Sequence, residues 1–82
     1  MKIEENMVFP IIQIKMMTPL HIAVCSRDGM FVDENNNYIL RYRVDIFENY
    51  KCDCGNLIDC ETGFKTMDDA ARSAIEYLER IK

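Results

Sequence analysis

Cys52, Cys54 and Cys60 lie within nine positions of one another, and His21 or Cys25 would complete a four-ligand set for a zinc ion. The spacing points elsewhere. Structural zinc sites use two to four intervening residues so that the chain turns beneath the metal, whereas a one-residue gap in an extended segment puts two sulfurs on one side with no such turn. The expected state is therefore free thiols acting as small buried hydrophobes, with no metal and no cofactor. A zinc module built on Cys52, Cys54, Cys60 and His21 is the alternative. His21 and Cys25 also suggest a base and a nucleophile, which must approach to about 3 Å. Four residues of strand hold their Cα atoms roughly 13 Å apart, and the chain has no second histidine. The carboxylates fall in no catalytic motif and no Gly-rich phosphate loop is present, so the sequence reads as non-catalytic.

The acids themselves are distributed unevenly. Residues 44–61 contain Asp45, Glu48, Asp53, Asp59 and Glu61 against one base, Lys51, and the same stretch holds Phe47 and Tyr50. An anionic edge with aromatic anchors suits a protein partner with a basic or neutral surface. These seven acidic and aromatic residues are the candidate partner site. Arg41 and Arg43, beside Tyr38 and Tyr42, form a miniature basic and aromatic strand of the type that reads nucleic acid. Strand parity separates them, because the arginines face away from the tyrosines. With a net charge of −4 and a pI near 4.8, direct binding to nucleic acid or to an anionic membrane is not expected.

The elements that position these residues follow from periodicity. Ile11, Ile12, Ile14 and Met16, behind Pro10, read as a first strand; Leu20, Ile22 and Val24, alternating with His21, Ala23 and Cys25, read as a second. Thr18-Pro19 between them is compatible with either a reversal or a kink. Asp28-Gly29 has the chemistry of a type I′ turn, which would lead into a short strand at 30–32. Five polar residues at 33–37 make an exposed loop. Tyr38, Leu40, Tyr42, Val44 and Ile46 then alternate with Arg41, Arg43 and Asp45 in what should be the central strand. Residues 53–56 read as another reversal, returning a short strand through Leu57 and Ile58. Thr66, with Asp69 three residues on, opens a helix over 67–81. Its stripe of Ala70, Ala74, Ile75 and Leu78 should pack on the Leu40, Tyr42, Val44, Ile46 face, while Asp68, Arg72, Glu76 and Arg80 form a solvated ladder. The expected fold is one α+β domain over 1–82: an antiparallel sheet of four to five strands with one C-terminal helix across a face.

The junction Gly63-Phe64-Lys65-Thr66-Met67-Asp68-Asp69-Ala70 resembles the strand-to-helix end of the arm-binding domains of phage and transposon integrases, and of other small strand-plus-helix proteins of mobile elements. The likeness covers residues 63–82. It implies the same architecture and a phage or mobile-element origin. Integrase domains bind DNA through a basic sheet face, and residues 44–61 depart from that pattern by their acidity. The expected function is a small interaction protein, in its sharper form an inhibitor of a nucleic-acid-binding defence protein, with carboxylates occupying a groove meant for phosphates. The acids at the N-terminus and the absence of a long apolar run predict a cytoplasmic chain without a membrane span, and a homo-oligomer is compatible with it.

Overall fold

The computed structural model describes residues 2–6, 13–50 and 54–81. Five strands, β1 (Lys2–Asn6), β2 (Gln13–Met17), β3 (His21–Val32), β4 (Tyr38–Asn49) and β5 (Cys54–Phe64), are followed by one helix, α1 (Met67–Arg80). The strands form one antiparallel meander in the order β1-β2-β3-β4-β5, so β1 and β5 are its edges. This is the expected α+β class, with the helix packed on one face of the sheet.

The core lies between α1 and the middle of the sheet. Ile14 and Met16 from β2, Ala23 and Cys25 from β3, and Val44 and Ile46 from β4 meet Ala70, Ala74 and Leu78. Every one of these is buried, which bears out the helix stripe and the inner half of the β4 face. Tyr42 packs at the margin of this core, whereas Tyr38 is 78% exposed and sits beyond the reach of the helix. On β3 the expected parity is inverted. Ala23 and Cys25, not the larger Ile22 and Val24, turn toward α1, because the alanine-bearing helix stripe packs most closely on this strand and small side chains fit there, while Ile14, Met16, Val44 and Ile46 fill the core on either side. Ile22 is still buried, on the opposite face, between Met17 and Phe47 of the neighbouring strands.

Three turns differ from expectation or resolve it. Thr18-Pro19 is a reversal: the Thr18 hydroxyl accepts from the His21 amide at 3.0 Å, and the Thr18 amide donates to the His21 carbonyl. Asn49 fastens this turn to β4 by donating from its side chain to the Thr18 carbonyl at 2.8 Å. Asp28-Gly29 is not a turn. β3 runs straight through it, and the pairing skips from Arg27 opposite Tyr42 to Gly29 opposite Arg41, leaving Asp28 as the extra residue of a bulge. Gly29 has φ +140°, a backbone state that suits glycine in a bulge as well as in a turn. The reversal joining β3 to β4 is instead the 33–37 loop, where Asp33 Oδ1 accepts from the amides of Asn35 and Asn37. Gly55 and Asn56 belong to β5 rather than to a turn. The β1 strand, drawn from the charged start of the chain, was not expected.

The helix begins as its sequence requires. Thr66 is extended, and its hydroxyl accepts from the Asp69 amide at 3.1 Å, with Asp68 and Asp69 in the first turn.

Candidate functional site

Because successive side chains alternate across a strand, the register decides which of the acids share a surface. Val44 pairs with Glu61 and Ile46 with Asp59, so both carboxylates share the face of the sheet that α1 covers. They lie on the edge strand, where the helix does not enclose them, and both are exposed. Asp45 pairs with Cys60 and points to the opposite, open face together with Phe47 and Leu57. The seven sequence candidates therefore do not form one surface.

On the helix side, β5 and α1 form the walls of a cleft of about 510 Å³ lined by Glu61, Ser73, Glu76, Glu79 and Arg80. A narrower crevice continues inward between Asp59, Glu61, Ser73 and Tyr77, with Val44 and Ile46 as its floor. Ser73 donates to Glu61 Oε2 at 3.0 Å and ties the two walls together. Desolvation raises the Tyr77 phenol above its ordinary pKa, and the charge and hydrogen bond of Asp59 raise it further. Arg80 lies over the Tyr77 ring, 5.5 Å from its centre, a cation–π geometry. Three carboxylates, Glu61, Glu76 and Glu79, thus line an open cleft that contains one arginine, and Asp59 lines the adjoining crevice. Asp59 and Glu61 were sequence candidates; Glu76 and Glu79 were not. Their signal was the i, i+3 position of Ser73, Glu76 and Glu79, a row flanking the buried alanine stripe.

On the open face the acids are already engaged. Arg43 donates to Asp45 from Nε at 3.1 Å and from Nη2 at 3.0 Å, and from Nη1 to Asp28 at 3.2 Å. The bulge accounts for this second pair, since the extra residue is what brings Asp28 over Arg43. The hydrogen bond and charge of Asp45 hold the Arg43 guanidinium above its ordinary pKa. Arg43 Nη2 also lies 2.9 Å from Cys60 Sγ. The Cys60 thiol is nonetheless raised, by desolvation and then by Asp45, with Arg43 acting against both, so it is not primed as a nucleophile.

The remaining candidates sit apart. Glu48 shares the helix-side face but pairs across from His21, at the far end of β4, and accepts a short hydrogen bond from the exposed Tyr50 hydroxyl. This bond raises the Tyr50 phenol. The Tyr50 ring lies against Gly55, where a Cβ would come within 2.9 Å of it. Asp53 and Cys52 lie outside the described residues.

For zinc, the described part of the alternative set is scattered: His21 projects to the helix side and Cys60 to the open side. Among the described residues no group of three or more His, Cys, Asp or Glu gathers around a common point. Cys25 is buried on the same strand as His21, four residues away, which keeps base and thiol apart. Burial, with a smaller contribution from Asp45, pushes its thiol up to about 11. Among the described residues no helix is long and apolar enough to cross a membrane.

No protein-family model matches the chain, and comparison with curated proteins and with solved structures returns no match. The integrase-like junction therefore rests on its own residues.

Proposed function

We propose that the protein is a small non-catalytic interaction module that holds a basic segment of a protein partner in the cleft between β5 and α1. The observation that supports this reading is the convergence of Glu61 from the sheet edge with Glu76 and Glu79 from the helix on one open cleft, with Asp59 near Glu61 on the same strand. A lysine or arginine side chain has the matching charge, a cation for the carboxylate walls. Carboxylates spaced along an edge also compete for a groove that normally holds phosphates. This supports the sharper form of the proposal, a phage-borne or mobile-element inhibitor of a nucleic-acid-binding defence protein.

The test separates position from net charge. A fluorescent arginine-rich peptide is titrated into the wild type, into Glu61→Lys/Glu76→Lys, and into Glu34→Lys/Asn35→Lys/Asn37→Lys, which makes the same change in charge at exposed positions of the 33–37 loop and keeps Asp33. Binding is expected to weaken by roughly tenfold or more in the cleft variant, and by far less in the loop variant. Equal losses in the two variants would mean that the peptide senses only net charge and would sink the reading.

A further inference from the structure

Among the described residues no helix or second layer covers the face of the sheet away from α1, although Ile22 at one end of it is buried, and its residues follow an order along the strands. Down β4 they run Ile39, Arg41, Arg43, Asp45, Phe47. In register on β3 they run Phe31, Gly29, Ser26, Val24, Ile22. The pattern is apolar, cationic, neutralised, anionic, apolar. It is a palindrome in hydropathy about the Arg43 row and changes sign in charge across it.

We infer that this face is a self-complementary dimer interface, on which a second copy stacks about a two-fold axis lying across the strands at the Arg43 row. That axis reverses strand direction and sets the two β4 strands over one another. Ile39 then meets the partner's Phe47, and Arg41 meets the partner's Asp45. On β3, Phe31 comes over the partner's Ile22 row, where Phe47 is the accessible side chain because Ile22 is buried, and Gly29 meets the partner's Val24. Space is available at that last contact, because nothing lies within 4 Å of where a Gly29 Cβ would be. A two-fold along the strands would instead put Asp45 on Asp45 and Arg41 on Arg41, which like-charge repulsion opposes.

The groups that would meet are free to do so. Arg41 donates only to its neighbour's carbonyl, from Nη1 to Leu40 O at 3.0 Å, and has no carboxylate partner among the described residues. Asp45 accepts one hydrogen bond per oxygen from Arg43, and a carboxylate has about four lone-pair sites, so it retains capacity for a second guanidinium. The two arginines on the axis are neutralised within their own chains by Asp28 and Asp45. Phe31 is 50% exposed, a large apolar residue with no cover in the monomer. Aligned face-to-face packing of twisted sheets is a common arrangement, and isologous pairing is the usual symmetry of homodimers. A dimer of this form leaves the β5–α1 cleft open on both protomers.

Sedimentation equilibrium of the full chain tests this directly. The wild type is expected at twice its 9.6 kDa chain mass at tens of micromolar. Arg41→Glu places like charges across the axis, and Phe31→Asp puts a charge on an apolar contact. Either should weaken association by roughly tenfold or more. Arg72→Glu makes the first of these charge changes on the exposed side of α1 and should leave the dimer intact. Both interface positions are partly or largely exposed in the monomer, so circular dichroism should show the fold unchanged. A monomeric wild type at these concentrations would overturn the inference, as would association that withstands both open-face substitutions or that Arg72→Glu abolishes.

Discussion

The two faces of this sheet are built from alternate residues of the same strands, yet they are held together by different physics. Against α1 the side chains are small and apolar, and Ala23, Cys25, Ala70 and Ala74 are completely buried. On the other side an Arg43 fork binds two carboxylates in the open, with side chains 35%, 21% and 16% exposed. Close packing governs the first face, and solvent-screened electrostatics the second. One face therefore carries the stability of a small domain and the other is available for contact. Because strand parity separates them, a slip of one residue in register would exchange their roles.

The largest effect should come from opening a cavity in the covered face. Leu78 is among the largest fully buried side chains, and Leu78→Ala is expected to cost about 2 to 5 kcal/mol through lost burial and the space left behind. Chemical denaturation measures it. A curve that overlays the wild type would show that the stripe is not core, and the contrast between the faces would collapse.

A smaller effect on the same face is set by pH. The buried Cys25 thiol is raised from 9.0 to about 11, so the folded chain keeps its proton over a range in which the unfolded chain has released it. Stability falls wherever the unfolded state binds fewer protons than the native one, so it should decline from about pH 9 and level off past about 11. The loss over that window is at most about 2.7 kcal/mol, at about 1.36 kcal/mol per unit of pKa over about two units. Cys25→Ala shifts stability by a constant for its cavity and should remove this slope. Parallel curves for the two proteins would mean that the thiol is hydrated and the covered face is not closed around it.

Much of the covered face was legible in the sequence, since the Thr66 and Asp69 pair and the three- and four-residue spacing of Met67, Ala70, Ala74 and Leu78 each point to a helix. The parity of β3 was not. Hydropathy favours Ile22 and Val24 for the core, but the alanines of α1 select by size, and size complementarity appears only when the two elements are set together. Asp28-Gly29 misled for a related reason, because a bulge and a type I′ turn both recruit a glycine with positive φ. β1 was hidden because its residues, Lys2 to Asn6, carry the charges of an edge and little alternation. For the site, alternation already separates Asp45 from Glu48, but the positions of Asp59 and Glu61 depend on bulges in the β4–β5 pairing, which no spacing within β5 reveals. Glu76 was absorbed into a charge ladder that looked balanced, although the ladder's acids and bases face different neighbours.

The smallest effect belongs to the open face. Arg43→Met keeps the aliphatic stem and removes the guanidinium, leaving Asp28 and Asp45 near each other without their common cation. Because the three side chains are partly in water, the cost should be about 1 kcal/mol, well below that of Leu78→Ala. Its salt dependence is more informative than its size. Repulsion between the two carboxylates is screened as ionic strength rises, the Debye length shrinking from about 10 Å at 0.1 M to about 3 Å at 1 M, so most of the deficit should disappear in concentrated sodium chloride. The Leu78→Ala deficit, being a cavity, should persist there. Both variants are compared with the wild type by urea denaturation at the two salt concentrations, in solutions dilute enough to be monomeric. If the Arg43→Met deficit were as large as that of Leu78→Ala, or equally indifferent to salt, the Arg43 fork would be part of the packed structure and the division between the two faces would fail.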